Sequence, residues 1–173
     1  MGLQTEAKNW YRDRFLVSTE KSLIQVDAIN EAMGSELMPW AQNMPREALQ
    51  KALDNSLCLG LYELPRSTAE IAGQRSPRQI GLARVITDDV TFAYLTDVYV
   101  IPAFQGIGLG RWLLECLKEV IDAWPHLRRF MFLTSKLDLY RKTIGAKDWD
   151  EYKRSGLVVG HIGGPPAPRY APE

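Results

Sequence analysis

The chain is poor in the residues from which most reactive sites are built. It has two cysteines and two histidines among 173 residues. Cys58 lies in the apolar run Leu57–Tyr62, and Cys116 lies in an amphipathic stretch. Both read as small buried residues of a reducing compartment, and no disulfide framework is expected. His126 and His161 are far apart and lack the spacing of metal ligands, so no metal is expected. No Cys/His or Ser/His pair suggests a covalent nucleophile. Charge of one sign is also missing. Lys+Arg and Asp+Glu both number 21, giving a net charge of zero. That excludes a dedicated nucleic-acid surface while leaving room for a local basic patch. There is no run of about 20 apolar residues, so no membrane partner is expected. Residues Met1–Lys8 are polar, without the apolar core of a secretion signal, and Thr5-Glu6 fits a myristoylation signal poorly. A cytoplasmic location is the expectation, with the nucleus left open.

Apolar residues, in contrast, are plentiful. They make up 46% of the chain, enough for one well-filled core and against general disorder. Residues 1–162 read as a single domain, and 163–173, rich in Pro and Gly, as an extended tail. No internal repeat is visible. Strands are expected at 12–18, 57–64, 79–87, 90–101, 129–134 and 157–162, the fifth of buried type. Leu23, Val26, Ile29 and Met33 recur at helical spacing and predict a helix over 20–33, capped by Ser18 or Thr19. Further helices are expected at 45–54, 111–124 and 136–144. Residues 65–78 read as a polar hairpin loop, Asp88-Asp89 as a turn, and 147–156 as too polar to place.

The segment from Thr96 to Leu114 is the most informative. An apolar strand leaves through Pro102 into a turn carrying Gly106, Gly108 and Gly110, and an amphipathic helix follows. Glycine allows positive φ and close backbone approach, and the first turn of a helix offers unpaired N–H groups and a partial positive charge. The arrangement predicts a phosphate held by backbone, although such turns also occur merely to let a helix pack on a sheet. A P-loop would need Lys-Ser/Thr after the last glycine, where Arg111-Trp112 stands. A dinucleotide fingerprint would need its third glycine at position 111 and an acid about 20 residues later. Arg111 and the basic Arg128-Arg129 stand there instead.

Gln105-Gly106-Ile107-Gly108-Leu109-Gly110 resembles the Gln/Arg-x-x-Gly-x-Gly/Ala signature of the GNAT superfamily, the GCN5-related N-acetyltransferases. Leu95–Pro102 is similar to that family's fourth strand and its proline exit. Leu139-Tyr140 with Gly145 resembles its Leu-Tyr-x-x-x-Gly-Phe element, with one extra residue before the glycine and Ala146 in place of Phe. The resemblance is strong over roughly 80–147. It implies a mixed, mostly antiparallel twisted α/β (α+β) sheet of six to seven strands with helices on both faces. It also implies direct transfer of an acetyl group from acetyl-CoA to an amine, without a metal.

Carried onto this chain, the resemblance gives the backbone from Gly106 to Arg111 to the pyrophosphate of CoA, with Gln105 opening the turn and the Arg111 side chain adding a contact. Val98, Tyr99 and Val100 would pair with the pantetheine arm, provided the fourth and fifth strands splay after about Val100. Tyr140 is the candidate general acid, because a phenol with pKa near 10 is protonated at neutral pH. The alternative is a tyrosine that only packs on the sheet. Positions resembling the family's base or water-chain sites fall on Tyr94 and Thr96, and a water-relayed proton path is expected. Simple alternation groups Tyr94, Thr96 and Val98 on one face and turns Asp97, the nearest carboxylate, away; a bulge would reverse that. Glu36, Met38, Trp40 and Met44 are expected near the acceptor, with Trp40 as an aromatic wall or as plain core. Arg84 either meets an acidic acceptor or pairs with Asp97. The leading expectation is acetylation of a small primary amine by a monomer or homodimer. A protein or peptide N-acetyltransferase and a silent acyl-CoA-binding module are the rivals.

Overall fold

A computed structural model describes residues 6–65 and 76–152. Six strands form one sheet in sequence order: β1 (Asn9–Arg12), β2 (Phe15–Ser18), β3 (Leu57–Glu63), β4 (Arg78–Thr87), β5 (Phe92–Val100) and β6 (Arg129–Phe132). Every neighbouring pair is antiparallel except β5 and β6. The parallel pair requires a crossover, and α3 (Leu109–Asp122) supplies it.

Two cores form because both faces of the sheet are covered. Against one face lie α1 (Val26–Met33) and α2 (Arg46–Asp54), with Ile29, Met38, Leu49 and Leu82 buried between them and the sheet. Against the other lies α3, joined by α4 (Leu137–Ile144). Leu109, Leu113, Leu117 and Ile121 repeat at helical spacing along α3 and are all buried. Burial of such a leucine contributes roughly 1.5–3 kcal/mol, so this stripe fixes how α3 lies on the sheet.

The N-terminal region departs from the expected strand 12–18 and helix 20–33. Asp13 takes φ 52°, a conformation that Asp tolerates better than most residues, and folds the first strand into the β1–β2 hairpin. Ser18 and Thr19 do not cap a helix. Their hydroxyls accept from Glu20 N–H and Lys8 N–H, and a 3-10 turn at Lys21–Leu23 follows. Gln25 then exchanges two hydrogen bonds with Gln79, at 2.7 and 3.0 Å, which holds the chain extended until α1 begins. Strand β6 is half-buried rather than buried, and a short helix α5 (Trp149–Tyr152) occupies part of the stretch that the sequence left unplaced. The expected strand 157–162, most of the loop 65–78 and the 163–173 tail lie outside the described residues.

Two irregularities shape the middle of the sheet. Strands β5 and β6 pair from Phe92↔Arg129 to Leu95↔Phe132 and no further, although β5 runs on to Val100. The splay therefore begins five residues earlier than the sequence suggests. Between Leu82 and Arg84 the β4–β5 register shifts, and opposite the shift Asp97 takes φ 49°. This is a β-bulge, in which the extra residue bends the strand and re-aims its side chains.

Candidate active site

The glycine turn is formed as a cradle. Gly106 and Gly108 both have positive φ, 81° and 84°, which a residue with a side chain reaches only with strain. A Cβ on Gly106 would meet nothing within 4 Å, so the turn is open outward there. Gly108 caps α3 with no side-chain hydrogen bond, and Trp112 N–H is bonded back to the Gly108 carbonyl at 3.1 Å. The N–H groups of Leu109, Gly110 and Arg111 therefore head the helix, with no acid in its first turn. Such a set of donors with a positive dipole fits a pyrophosphate.

Two side chains expected at this turn are engaged elsewhere. Gln105 donates from Nε2 to the Val100 carbonyl at 2.7 Å and braces the turn against the end of β5. The Arg111 guanidinium pairs through Nε with Glu115, one turn along α3, at 2.9 Å in an exposed contact. Val98, Tyr99 and Val100 lie on the part of β5 beyond its pairing with β6.

The bulge changes which side chains share a face. Thr96, Arg84 and Cys58 are cross-strand neighbours, and Cys58 belongs to the α1–α2 core. Asp97 joins them, with Oδ2 accepting from Arg84 Nε at 2.7 Å. Val98 instead packs into the α3 core, while Tyr99 packs against α1 and α2. The grouping of Tyr94, Thr96 and Val98, with Asp97 opposite, is thus corrected: the extra residue at Asp97 reverses the alternation beyond Thr96.

Asp97 is the hub of this face. It is 6% exposed, and its Oδ1 accepts from Thr96 Oγ1 at 3.3 Å and from Trp40 Nε1 at 3.4 Å. Arg84 also donates to Ser56 Oγ at 3.1 Å. Of the two partners open to Arg84, the structure gives Asp97. Trp40, 42% exposed, stands at the rim, and its indole N–H ties the α1–α2 connection to the bulge. Met38 is fully buried in the α1–α2 core. Tyr94 lies half-buried on β5, opposite Met131 of β6. Burial, and next the charge of Asp97, push the Tyr99 phenol well above its usual range.

Tyr140 sits on α4, beside the fork between β5 and β6. Its ring stacks on Phe132, the last paired residue of β6, with centroids 4.6 Å apart. Burial raises its pKa, which favours the protonated phenol. The helix ends just past it: Gly145 takes φ 73°, and its N–H donates to Arg141 C=O at 3.1 Å. Ala146 N–H donates to the Tyr140 carbonyl at 3.3 Å. This glycine is a helix terminator in the left-handed conformation, which accounts for its place in the motif.

Arg12 was not indicated by any motif. A Cβ built on Gly108 would lie 3.8 Å from its Nη1 and 3.9 Å from its Nη2. Among the described residues there is no cluster of three metal-ligating side chains, and no helix is long and apolar enough to cross a membrane.

A mixed sheet forked between two parallel strands, with a glycine cradle at the head of the crossover helix, is the arrangement that the resemblance to the GNAT superfamily implies. Residues 28–146 match the Acetyltransferase (GNAT) family, and the chain belongs to that family. FG08082 of Gibberella zeae, which carries a provisional acetyltransferase name, is 45% identical over 171 residues, covering 94% of this chain and 97% of its own. A GNAT-family protein of Xanthomonas campestris pv. campestris is 28% identical in a solved structure with TM-score 0.65, covering 93% of this chain and all of that one. Rv2747 of Mycobacterium tuberculosis, solved with CoA and NLQ, shares the fold at TM-score 0.50 and 16% identity, over 73% of this chain and 68% of its own. The protein is an acetyltransferase of a family that uses acetyl-CoA.

Proposed function

We propose that the chain acetylates the primary amine of a small molecule, with acetyl-CoA seated at the glycine cradle and the acceptor at the bulge. The observation that carries this is the closure of the bulge by Trp40. Its indole N–H donates to Asp97 at 3.4 Å, and on this reading the ring serves as an aromatic wall over the acceptor face. A peptide acceptor would need an open acidic groove, whereas the carboxylate here is buried and already paired with Arg84.

Acetyl-CoA, when bound, supplies a thioester carbonyl, and transfer forms a C–N bond as the C–S bond breaks. The N–H groups from Gly106 to Arg111 hold the pyrophosphate. The free edge of β5 from Val98 to Val100 aligns the pantetheine arm, and one of its N–H groups polarises the carbonyl. Tyr140 donates its hydroxyl proton to the departing thiolate and is reprotonated by the proton that the acceptor nitrogen loses as the amide forms. The first proton lost by the acceptor ammonium leaves to solvent by a water relay along Tyr94 and Thr96, beside the Asp97 carboxylate, which stays paired with Arg84.

The test is calorimetric titration with acetyl-CoA, with NADH as control, followed by release of free CoA thiol over small amines and over N-terminal and lysine peptides. Saturable acetyl-CoA binding and turnover with a small amine are expected. Turnover on peptides alone would replace the acceptor assignment with a peptide acceptor, and binding without any turnover would leave a silent acyl-CoA-binding module.

A further inference from the structure

We propose that Arg12, carried by the N-terminal hairpin, is a clamp on the pyrophosphate of CoA, closing over the cradle from outside the motif. This rests on the cofactor reading above. The first observation is position. Both terminal nitrogens of Arg12 lie within 4 Å of where a Cβ on Gly108 would stand, at the N-cap of α3. The guanidinium therefore lies beside the N–H groups that would hold the phosphates, on a different element and about 100 residues away in sequence.

The second observation is that the hairpin is anchored so as to aim it. Trp10 and Arg12 are two apart on β1 and so point to the same side. Trp10 packs against the α3 core and donates from Nε1 to Glu119 Oε2 at 2.9 Å. Trp10 thus fixes β1 along α3, and Arg12 reaches its first turn.

The third observation is charge. The neighbouring arginines are occupied: Arg14 pairs with Glu63 at 3.1 Å, Arg78 stacks over Phe104 at 5.9 Å, and Arg111 pairs with Glu115 at 2.9 Å. Among the described residues Arg12 has no ion-pair or hydrogen-bond partner. A guanidinium left unpaired next to a helix N-terminus lies in an unfavourable field of like sign, and a dianion between the two relieves it. Arginine is suited to the task, because its planar fork donates two parallel hydrogen bonds to phosphate oxygens.

The experiment is calorimetric titration of the wild type, Arg12→Ala and Arg12→Lys with CoA and with dephospho-CoA, which keeps the pyrophosphate and lacks the 3′-phosphate. Thermal melts check that each variant is folded. Arg12→Ala is expected to raise the Kd of both ligands by about tenfold, the worth of one charge-assisted hydrogen bond. Arg12→Lys is expected to recover part of that loss for both. Dissociation constants of Arg12→Ala within twofold of the wild type would overturn the clamp and leave the cradle reading intact. A loss confined to CoA would overturn it as well, since the guanidinium would then serve the 3′-phosphate. Failure of the wild type to bind either ligand would overturn the cofactor reading, and the clamp with it.

Discussion

The two sides of the β5–β6 fork are built from different material. On the side proposed for the cofactor the exposed donors are backbone N–H groups, set by glycines at φ 81° and 84°, and the nearby Gln105 and Arg111 side chains have partners within the chain. On the side proposed for the acceptor the surface is made of side chains, with Arg84, Thr96 and Trp40 converging on Asp97. The difference teaches where specificity resides. A backbone cradle selects one kind of group, a phosphate, and a side chain beside it such as Arg12 adds strength without changing that choice. A side-chain cluster can be rebuilt for another acceptor without disturbing the cradle.

Tyr140, stacked on Phe132 at the end of the β5–β6 pairing, is the proposed general acid, and its substitution is the largest test of the comparison. Tyr140→Phe is expected to lower kcat by roughly 10²–10⁴ while leaving the Kd of acetyl-CoA unchanged. Burial raises this phenol's pKa, so it stays protonated beyond its usual value of about 10. The kcat profile of the wild type should therefore show no Tyr140-dependent decline below about pH 10. A turnover equal to wild type in Tyr140→Phe would reduce the residue to a packing role against Phe132.

Next in size is the buried pair on the acceptor side. Arg84 and Asp97 have side chains 14% and 6% exposed and lie 2.7 Å apart. Arg84→Ala would strand a buried carboxylate, and the expected loss of stability is about 3–5 kcal/mol. Urea unfolding measures it. The double variant Arg84→Met with Asp97→Asn removes both charges and should recover much of that loss. If the single variant lost less than about 1 kcal/mol, the pair would be a surface-like contact, and Asp97 would be free to act without Arg84.

This contrast also explains what the sequence made legible. The turn was readable because Gly106, Gly108 and Gly110 alternate within one short segment, and only glycine readily takes the φ angles of the first two. Strands β3, β4 and β5 and helices α2, α3 and α4 were found to within two residues at nearly every end, since their apolar periodicity is local. The cluster around Asp97 was readable only in part: Trp40, Arg84 and Asp97 were candidates and the Arg84–Asp97 pair was one of two readings, but Ser56 was missed, and the meeting of all four depends on sheet register, one bulge and the α1–α2 connection. Asp97 carries no sequence mark of its positive φ, and alternation alone set it on the wrong face. The β1–β2 hairpin escaped for a similar reason. Its strands are four residues each, too short for a period-two signal, and the turn rests on Asp13 alone. Arg12 was therefore hidden, since its approach to Gly108 follows from the hairpin.

The backbone character of the cradle can be sharpened by a pair of substitutions of unequal effect. Gly108→Ala must hold a left-handed conformation at about 1–2 kcal/mol and also puts a methyl group toward the phosphate space, so acetyl-CoA should bind about tenfold more weakly. Arg111→Ala leaves the N–H groups in place and removes a guanidinium that faces Glu115; its Kd should stay within about twofold, an exposed i,i+4 pair being worth only a few tenths of a kcal/mol. Titration calorimetry compares the two. A larger loss from Arg111→Ala than from Gly108→Ala would mean that side chains, not backbone, hold the cofactor.

The smallest effect is expected far from both sides, at the β4–β5 turn. The Asp88 carboxylate accepts from the N–H groups of Val90, Thr91 and Phe92 and from Thr91 Oγ1. These bonds, the Thr91 hydroxyl first, hold its pKa well below the usual carboxylate value. A depressed folded pKa means that the stabilisation is present above the unfolded value of about 3.9 and is lost as pH falls through the folded one. Asp88→Asn should lower the melting temperature at neutral pH, and the gap to wild type should close progressively below about pH 4. Neither the Kd of acetyl-CoA nor kcat should move, because the turn supports the paired end of β5 and touches neither the cradle nor the bulge. A gap that persists unchanged into acid would show that the turn is held by its backbone, and that here too a side-chain reading had been placed where a backbone one belongs.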